Sequence, residues 1–391
     1  MKISKEDPIF IIGASVSGLF MAWALRHYGF SNVKVMDRHA QPTWPKVPLH
    51  LGSQVLNTLG QMERVGDFER IGVPWQKAGL RWSSDKVFHR IDLDKLKDQT
   101  GYLPIAAAGP AIRQVLTKGM EPEGLLTGHE FISFTQTSKE VEAHFSQGQI
   151  YKGALLIAAD GIDSRVRLQM KGETEKEKTE LATWRVLLEP DQMEPELQEA
   201  FQPARQEYLG PGLRAAYFPL KEGRLGAEFT AYAPSVPQSS DEAKAYLQES
   251  FAKFPKPIPQ LLESLPADQL SMHLHTDRSL LKSAHQGRVV LIGEAAQPTL
   301  PYLGLETNLG IVDALVLARL LDESRTLNRA LSQFERKHRK QAKRFHKAGH
   351  KYDRTVSLRA SFRYALRKLI YPALPGRKAY GDFYKINLAN V

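Results

Sequence analysis

The sequence predicts an α/β fold in which a three-layer, parallel-sheet domain is interleaved along the chain with a mainly antiparallel β-sheet domain and is followed by C-terminal helices. Four short apolar runs lack the polar alternation of half-exposed strands, which is typical of buried parallel strands. They occupy residues 9–12, 33–36, 154–158 and 288–292. Three β-rich runs broken by Gly and Pro predict the antiparallel sheet. They occupy residues 181–188, 215–220 and 225–232.

The first predicted strand leads into a turn of small residues. The turn, Gly13-Ala14-Ser15-Val16-Ser17-Gly18, precedes a helical run, and the second strand ends at Asp37, followed by Arg38. A strand, glycine turn, helix, strand and terminal acid form the dinucleotide-binding βαβ unit, with pyrophosphate at the helix N-terminus and the acid on the ribose hydroxyls. Ser15 replaces the middle glycine of that pattern, and it is small enough for the turn.

A second cofactor-binding pattern follows the last predicted parallel strand. Residues 287–298 read GRVVLIGEAAQP, with Glu294 at the carboxyl end of the strand, and residues 301–310 read PYLGLETNLG before a helical run. A carboxylate, a Pro/Gly turn and a helix N-terminus together predict a socket for a polar cofactor, because backbone N–H groups and the helix dipole favour electron-rich groups.

A third pattern lies between these two. Residues 153–167 read GALLIAADGIDSRVR, in which Asp160 would cap a turn near the pyrophosphate and Arg167 would tie the following helix back to the sheet. An ordinary strand-to-helix turn explains Asp160-Gly161 but leaves the rest of the string unexplained.

The three patterns resemble motifs of the p-hydroxybenzoate hydroxylase-like, group A FAD-dependent monooxygenases. In that family the second motif reads GRVxLxGDAAH…P…GxGxN and the third reads GADGxxSxxR, so the resemblance runs from about residue 8 to about residue 350. It implies a Rossmann-like FAD-binding domain, FAD as cofactor, and NADH or NADPH as a transient reductant. It also implies that an aromatic or polyketide-like small molecule is hydroxylated or epoxidised through a C4a-hydroperoxyflavin.

The resemblance also implies the site residues. The cofactor-binding set would be Gly13, Ser15, Gly18, Asp37, Arg38, Arg113, Asp160, Glu294, Gly304, Leu305, Glu306 and Asn308. The catalytic cleft would lie between the two sheets, with Arg185 and Tyr217 in its wall and Pro301 at the flavin edge. Arg185 would orient a phenolate or carboxylate, since arginine stays protonated and is not a proton-transfer group.

Four positions depart from the family motifs and keep a second function class open. Glu294 stands for Asp, Gln297 for His, Gly109 for the Arg of the helix motif RxxLxxxL, and Glu306 for a Gly beside the isoalloxazine. A carboxylate at Glu306 that pointed inward would crowd the ring and oppose the anion of reduced flavin. The alternative is therefore a protein of the same fold without productive FAD use, acting as a flavin-independent cyclase or isomerase or as a binding protein.

The interleaved organisation predicts six segments. The FAD-binding domain would contain residues 1–73, 105–180 and 279–333, and the substrate domain residues 74–104 and 181–278. Residues 334–391 would form a basic C-terminal helical region. Domains that interleave in this way suit an enzyme with its ligand at the interface.

Composition limits the covalent cross-links, metal sites and cellular locations to be expected. The chain has 391 residues and no cysteine, so disulfides and thiolate metal sites are excluded. No apolar run approaches the roughly 20 residues of a membrane span and no signal-peptide core precedes the first strand, so a cytoplasmic location is expected. We expect no metal site. The pairs His273/His275 and His346/His350 are expected to be solvated or packed, because no acidic partner accompanies them in the sequence.

The net charge of +10 is concentrated at the C-terminal end. From Phe334 onward there are sixteen lysines and arginines against three acids. No recognition motif accompanies this charge, so no nucleic-acid partner is expected. A basic helix at 336–344 and an amphipathic pattern at 362–370 would pack on the body, with peripheral contact to an anionic membrane as the alternative. The oligomeric state is left open.

Overall fold

A parallel sheet forms the centre of the molecule. The structure, a computed structural model, describes residues 2–40, 46–120, 122–172, 177–200, 204–233, 235, 237–300 and 305–356, with only the backbone at 177–179, 199, 200, 305, 306 and 355. Six described strands form the sheet, and all neighbours are parallel except the first pair. Their order is His285–Gln286, Val289–Leu291, Leu155–Ala158, Ile9–Ile12, Val33–Met36 and Leu125–Leu126. The four predicted parallel strands are confirmed.

Each face of this sheet is covered by a different layer. Ile9 and Ile11 pack on the helical side, where the helices Val16–His27 and Leu305–Glu323 contact each other. Phe10 and Ile12 face the opposite way, onto a three-stranded antiparallel sheet. Its strands are Phe131–Gln136, Val141–Phe145 and Ile150–Gly153. Successive strand residues point to opposite faces, so an apolar run without alternation fills both interfaces.

A second, larger sheet is mainly antiparallel, as predicted. Only its neighbours Lys77–Trp82 and Ala204–Gly210 are parallel among the described strands. The strand order is Ser271–Asp277, Glu177–Leu188, Leu225–Tyr232, Leu213–Pro219, Ala204–Gly210, Lys77–Trp82 and Val87–Arg90. One face buries Trp184, Tyr208 and Phe229 against the helices that follow residue 239.

A small antiparallel sheet lies between these two assemblies. Its strands are Pro48–Leu51, Ile105–Ala108 and Val73–Pro74. A Cβ atom on Gly226 of the large sheet would approach Pro48 Cβ to 2.7 Å, so the two sheets meet closely here. The described α-helices are Val16–His27, Ser53–Gln61, Val65–Glu69, Leu93–Thr100, Gly109–Thr117, Arg165–Lys171, Pro195–Ala200, Ser240–Phe251, Ile258–Ser264, Gly293–Ala296, Leu305–Glu323 and Leu327–Val356.

The basic segment 336–344 belongs to the long helix Leu327–Val356. Its apolar residues Ala342, Phe345 and Ala348 are buried against Leu309 of the preceding helix. The amphipathic pattern at 362–370 lies outside the described residues. Within the described ranges, no helix combines the length and the apolar character that crossing a membrane requires.

Candidate active site

Close backbone contacts build the turn after the first strand. Gly13 has a φ of +102°, and a Cβ there would lie 2.6 Å from the Ala159 carbonyl oxygen. A Cβ on Gly18 would lie 2.0 Å from the Gly13 oxygen. Ser15 caps the helix, since its hydroxyl accepts from the Gly18 N–H and donates to the Ala159 oxygen, 2.9 Å away. The hydroxyl therefore points into the fold, and backbone groups line the open side of the turn.

Asp37 follows the adjacent parallel strand and closes the same turn. Its Oδ2 accepts from the Ala14 N–H at 2.8 Å, and its Oδ1 accepts from the His39 N–H at 2.9 Å. The carboxylate is mostly buried, with 13% of the side chain exposed. Asp37 thus fixes the glycine turn, and its partly exposed carboxylate lies beside the turn.

Asp160 approaches the turn from the third strand. Its Oδ2 accepts from the Arg165 N–H at 3.0 Å, while its Oδ1 is buried without a hydrogen-bond partner among the described residues. Burial raises the pKa of Asp160, an effect opposed by hydrogen bonds from Ser164 and nearby backbone N–H groups. A buried acceptor without a partner at a cavity wall is suited to a ligand hydroxyl or amide.

These residues surround one cavity of about 390 Å³. It opens at the carboxyl ends of three parallel strands, where nucleotide ligands of open α/β sheets bind. Its lining includes Gly13, Ser15, Asp37, Asp160 and, at the exposed rim, Arg38. The remaining lining residues are Ile12, Ala14, Val16, Met36, His39, Val47, Leu49, His129, Glu130, Phe131, Ala159, Gly161, Asp163 and Arg165.

Arg167 connects the third pattern to the second. Its guanidinium donates to the Ala296 carbonyl oxygen at 2.7 Å and to the Ala295 oxygen at 3.4 Å. It was expected to tie its helix back to the sheet; it binds instead the short helix Gly293–Ala296 that follows the sheet strand. Burial and the neighbouring Arg278 lower its pKa to about 10, which still leaves it charged at neutral pH.

Three small residues from separate motifs meet beneath the second pattern. A Cβ on Gly310 would lie 2.0 Å from Ser17 Oγ, and one on Gly293 would lie 2.5 Å from the same oxygen. Gly293 has a φ of +57°, and its N–H donates to buried Asp313 Oδ2 at 2.9 Å. Helix and turn approach this closely because no larger side chain intervenes.

The other carboxylate oxygen of Asp313 binds His338 of the long helix. The distance from Oδ1 to His338 Nδ1 is 2.8 Å, and both side chains are buried. Burial alone would lower the pKa of His338, but the Asp313 charge and hydrogen bond prevail and raise it. The pair therefore anchors the Gly293 turn to the long helix.

This pair should make stability depend on pH. Because the folded-state pKa of His338 exceeds the ordinary value of 6.5, its contribution is complete below that value and is lost as pH rises through the folded pKa. We expect the melting temperature of His338→Gln to fall further below wild type at about pH 6 than at about pH 9. An equal difference at both pH values would contradict a charged pair.

Three predicted cofactor residues, Asn308, Arg113 and Glu294, are not among those that line the cavity at the glycine turn. Asn308 donates from Nδ2 to the His50 carbonyl oxygen at 3.0 Å and accepts at Oδ1 from the Gly52 N–H at 2.8 Å. Arg113 and Glu294 are partly buried on their helices and do not line the cavity described above. Pro301 and Gly304 lie outside the described residues, and of Leu305 and Glu306 the structure describes only the helical backbone. The predicted cofactor contacts of all the residues in this paragraph stay predictions.

A buried charge network covers the face of the large sheet that looks toward the Pro48–Leu51 strand. Glu207 Oε2 is 2.6 Å from Arg205 Nη2, and Glu207 Oε1 is 3.2 Å from Arg214 Nε. Glu228 Oε2 accepts from Arg214 Nη2 at 3.0 Å, and Glu228 Oε1 lies 3.5 Å from Arg185 Nε. Burial would raise the pKa of Glu228, but the Arg214 and Arg185 charges lower it to about 2.

His50 is the point where the strand Pro48–Leu51 meets this network. Its Nε2 lies 4.0 Å from Glu228 Oε1, and its ring packs on Phe218 with centroids 4.2 Å apart. Burial lowers its pKa to about 3, so the imidazole is neutral at physiological pH. Among the described residues, three guanidiniums and two carboxylates meet on this buried wall. Sequence reasoning missed His50 and the two glutamates, although charged residues within otherwise apolar strands were the available signal.

Tyr217 does not belong to this wall, which corrects the prediction that it lines the cleft with Arg185. Arg185 pairs with Glu228, and Glu228 pairs with Ala216 on the next strand, so these three share a face. Tyr217 is the next residue and points to the opposite face, where it packs near Tyr208. Alternation along the strand places it away from Arg185.

The expectation that no acidic group accompanies His346 and His350 is also wrong. Asp277, at the end of a large-sheet strand, lies beside both imidazoles. Asp277 is far from the two histidines in sequence, and packing of the long helix on the sheet brings it beside them.

Comparison with known proteins identifies the family. The family model described as "FAD binding domain" matches residues 6–347. The chain belongs to this p-hydroxybenzoate hydroxylase-like family of FAD-dependent monooxygenases. Within the family it is 26% identical over 336 residues to the aurachin C monooxygenase/isomerase of Stigmatella aurantiaca, with 84% of each chain covered. It is 28% identical to the salicylate hydroxylase of Pseudomonas putida, with 81% of this chain and 77% of the relative covered.

Solved structures support the same FAD-monooxygenase fold. Klebsiella pneumoniae HpxO in complex with FAD and uric acid superposes with a TM-score of 0.85 at 21% identity, covering 97% of each chain. This family member is thus an FAD-dependent oxidoreductase. The described residues fit the nucleotide half of FAD, because a turn crowded at Gly13 and Gly18, a helix N-terminus and the unpartnered Asp160 Oδ1 all border one cavity.

Proposed function

We propose that this protein hydroxylates or epoxidises an aromatic or polyketide-like small molecule that binds as an anion. The observation that carries the proposal is the buried, arginine-rich wall formed by Arg185, Arg205, Arg214, Glu207 and Glu228, in which part of the Arg185 side chain stays exposed. A guanidinium that reaches a largely buried surface offers charge-assisted hydrogen bonds, so a site of this kind favours a ligand that carries a negative charge.

Arg185 is the member of the wall that a substrate would meet. Its side chain is 13% exposed, whereas Arg205 and Arg214 are almost fully buried and engaged by Glu207. A guanidinium offers donors in a planar fork that matches a carboxylate or phenolate. Its role is to orient the substrate and stabilise its charge.

The cofactor would occupy the cavity beneath the glycine turn. The Gly13–Gly18 backbone would hold the pyrophosphate, Asp37 the adenine ribose, and Asp160 Oδ1 a further donor of the cofactor. When bound and reduced by NADH or NADPH, FAD supplies activation of O₂, with one oxygen atom passing to the substrate and the other leaving as water. Neutral His50 and the apolar side chains around it would keep the cleft dry.

The test begins with the purified protein. We expect it to be yellow from bound FAD, to oxidise reduced nicotinamide, and to consume O₂ faster when substituted hydroxybenzoates are added. A colourless protein that neither takes up added FAD nor consumes O₂ would support the flavin-independent alternative. Product analysis with ¹⁸O₂ would then distinguish oxygen insertion from wasteful oxidation of the nicotinamide.

Arg185→Ala should impair use of anionic substrates specifically. We expect KM for a hydroxybenzoate to rise at least about tenfold, because an interaction with a charged group typically contributes 1.5–3 kcal/mol. Flavin content should not change. Arg90→Ala, at an exposed position of an edge strand of the same sheet, serves as the control. Unaltered turnover in Arg185→Ala would exclude the proposed role.

Asp37→Ala should weaken FAD binding by roughly 1.5–3 kcal/mol, since a charge-assisted hydrogen bond to the ribose and the brace on the Ala14 N–H are both lost. The measurement is fluorescence titration of the apoprotein with FAD. Asp94→Ala removes an exposed carboxylate elsewhere and should bind FAD like the wild type. Equal affinity in both variants would contradict the placement of the ribose.

A further inference from the structure

We propose that Asp277, His346 and His350 form a binding site for a divalent transition-metal ion of the Zn²⁺ class. Asp277 ends a strand of the large sheet, and the two histidines lie one turn apart on the long helix. The site is separate from the nucleotide cavity, none of whose lining residues belongs to it.

The three donor atoms form a compact triangle. His350 Nε2 is 2.7 Å from Asp277 Oδ2, His346 Nε2 is 3.3 Å from the same oxygen, and the two Nε2 atoms are 3.1 Å apart. Zn²⁺ binds histidine nitrogen and carboxylate oxygen at about 2.0–2.2 Å. A cation about 2.1 Å from each atom would sit roughly 1 Å above their plane, so little movement is needed.

Hydrogen bonds alone cannot pair all three atoms of this triangle well. A neutral imidazole with its proton on Nε2 donates along one direction, yet each Nε2 faces both the carboxylate oxygen and the other imidazole. If both nitrogens carried protons, those protons would oppose each other across 3.1 Å. A cation that accepts one lone pair from each of the three atoms removes this conflict.

Burial and access also suit a bound ion. Asp277 is nearly buried, with 8% of its side chain exposed, while His346 and His350 are 25% and 33% exposed. The carboxylate is thus fixed by the fold, and the open side lets an ion enter and keep water as its remaining ligands. Beside this site, His275 Nδ1 lies 3.4 Å from Asp353 Oδ1, a second contact between the same strand and helix.

A metal at this position would fasten the long helix to the large sheet. The long helix also packs on Leu309, which lies within the second cofactor pattern. Metal binding should therefore stabilise the fold without contributing to the chemistry of the cofactor.

The experiment uses the untagged, full-length protein with its natural flavin content, stripped with a chelator and titrated with Zn²⁺ by calorimetry. We expect one ion per chain, a higher melting temperature, and no comparable binding of Mg²⁺, since nitrogen ligands disfavour that ion. Co²⁺ substitution should give the visible absorption of a nitrogen- and oxygen-ligated ion. His346→Ala and His350→Ala should each weaken binding at least tenfold.

His350→Gln and Asp277→Asn provide milder substitutions in case the alanine variants fold poorly, with circular dichroism as the check. His144→Ala, a histidine on the three-stranded sheet, should bind Zn²⁺ like wild type. The proposal is wrong if wild type and His346→Ala/His350→Ala bind Zn²⁺ equally, or if Zn²⁺ leaves the melting temperature unchanged. Both readouts are independent of monooxygenase activity.

Discussion

Replacing Glu207 with alanine is expected to lower the free energy of unfolding by about 3–5 kcal/mol, the largest effect predicted for this protein. Glu207 is fully buried and lies between Arg205 and Arg214, which are also buried. Burial would raise its pKa, but the two guanidiniums lower it, so the carboxylate is charged in the folded state. Its removal leaves buried Arg205 without the carboxylate beside it and leaves Arg214 with Glu228 alone among the two glutamates of the wall.

Urea denaturation of the wild type and Glu207→Ala measures this loss. Glu249→Ala removes an exposed glutamate from a helix packed on the same sheet and should change stability by less than about 0.5 kcal/mol. Glu207→Gln keeps the shape and some hydrogen bonds, so we expect an intermediate loss. If Glu207→Ala were as stable as the Glu249 control, the arginines would not depend on this carboxylate.

Gly18→Ala is expected to disrupt the cofactor site and to cost roughly 1–3 kcal/mol of stability. The added methyl group would meet the Gly13 carbonyl oxygen at 2.0 Å, and backbone cannot rotate away as a side chain can. The turn must open, which displaces the N–H groups proposed to hold the pyrophosphate. We therefore expect FAD affinity to fall at least about tenfold, since small displacements of binding groups have large effects.

Gly66→Ala provides the matched control for this substitution. Its Cβ would find nothing nearer than Arg70 Nη1 at 3.8 Å, and the residue lies within a helix. Alanine there should be neutral or slightly stabilising, by up to about 1 kcal/mol. FAD affinity and thermal stability are measured for both variants. Normal FAD binding by Gly18→Ala would place the pyrophosphate elsewhere.

The sequence was most informative where structure depends on neighbouring residues. The parallel strands and the turn at Gly13–Gly18 could be predicted because an apolar run and a strand–turn–helix pattern are each visible within a few consecutive residues. The order of the motifs along the chain also predicted that they share one sheet. Asp37 and Asp160 follow the two strands that flank Ile9–Ile12, so both lie at the same edge of the sheet.

The sequence did not predict which side chains share a face of a sheet or which residues distant in sequence come into contact. Whether Tyr217 and Arg185 share a face depends on the register of three strands, and a shift of one residue reverses the answer. The contact of Asp277 with His350 depends on how the long helix crosses the sheet. The buried glutamates were missed because apolar strand patterns do not show which charged residues pair inside.

The meeting of Ser17, Gly293 and Gly310 has a consequence for how such a protein can evolve. A methyl group at either glycine would collide with the serine hydroxyl, and the serine itself has no room to become larger. A larger residue at any one of these positions is therefore excluded unless the others change first, although Ser17 precedes both glycines by most of the length of the chain. Among descendants of this chain, we expect these three residues to be conserved together while the surface around them diverges.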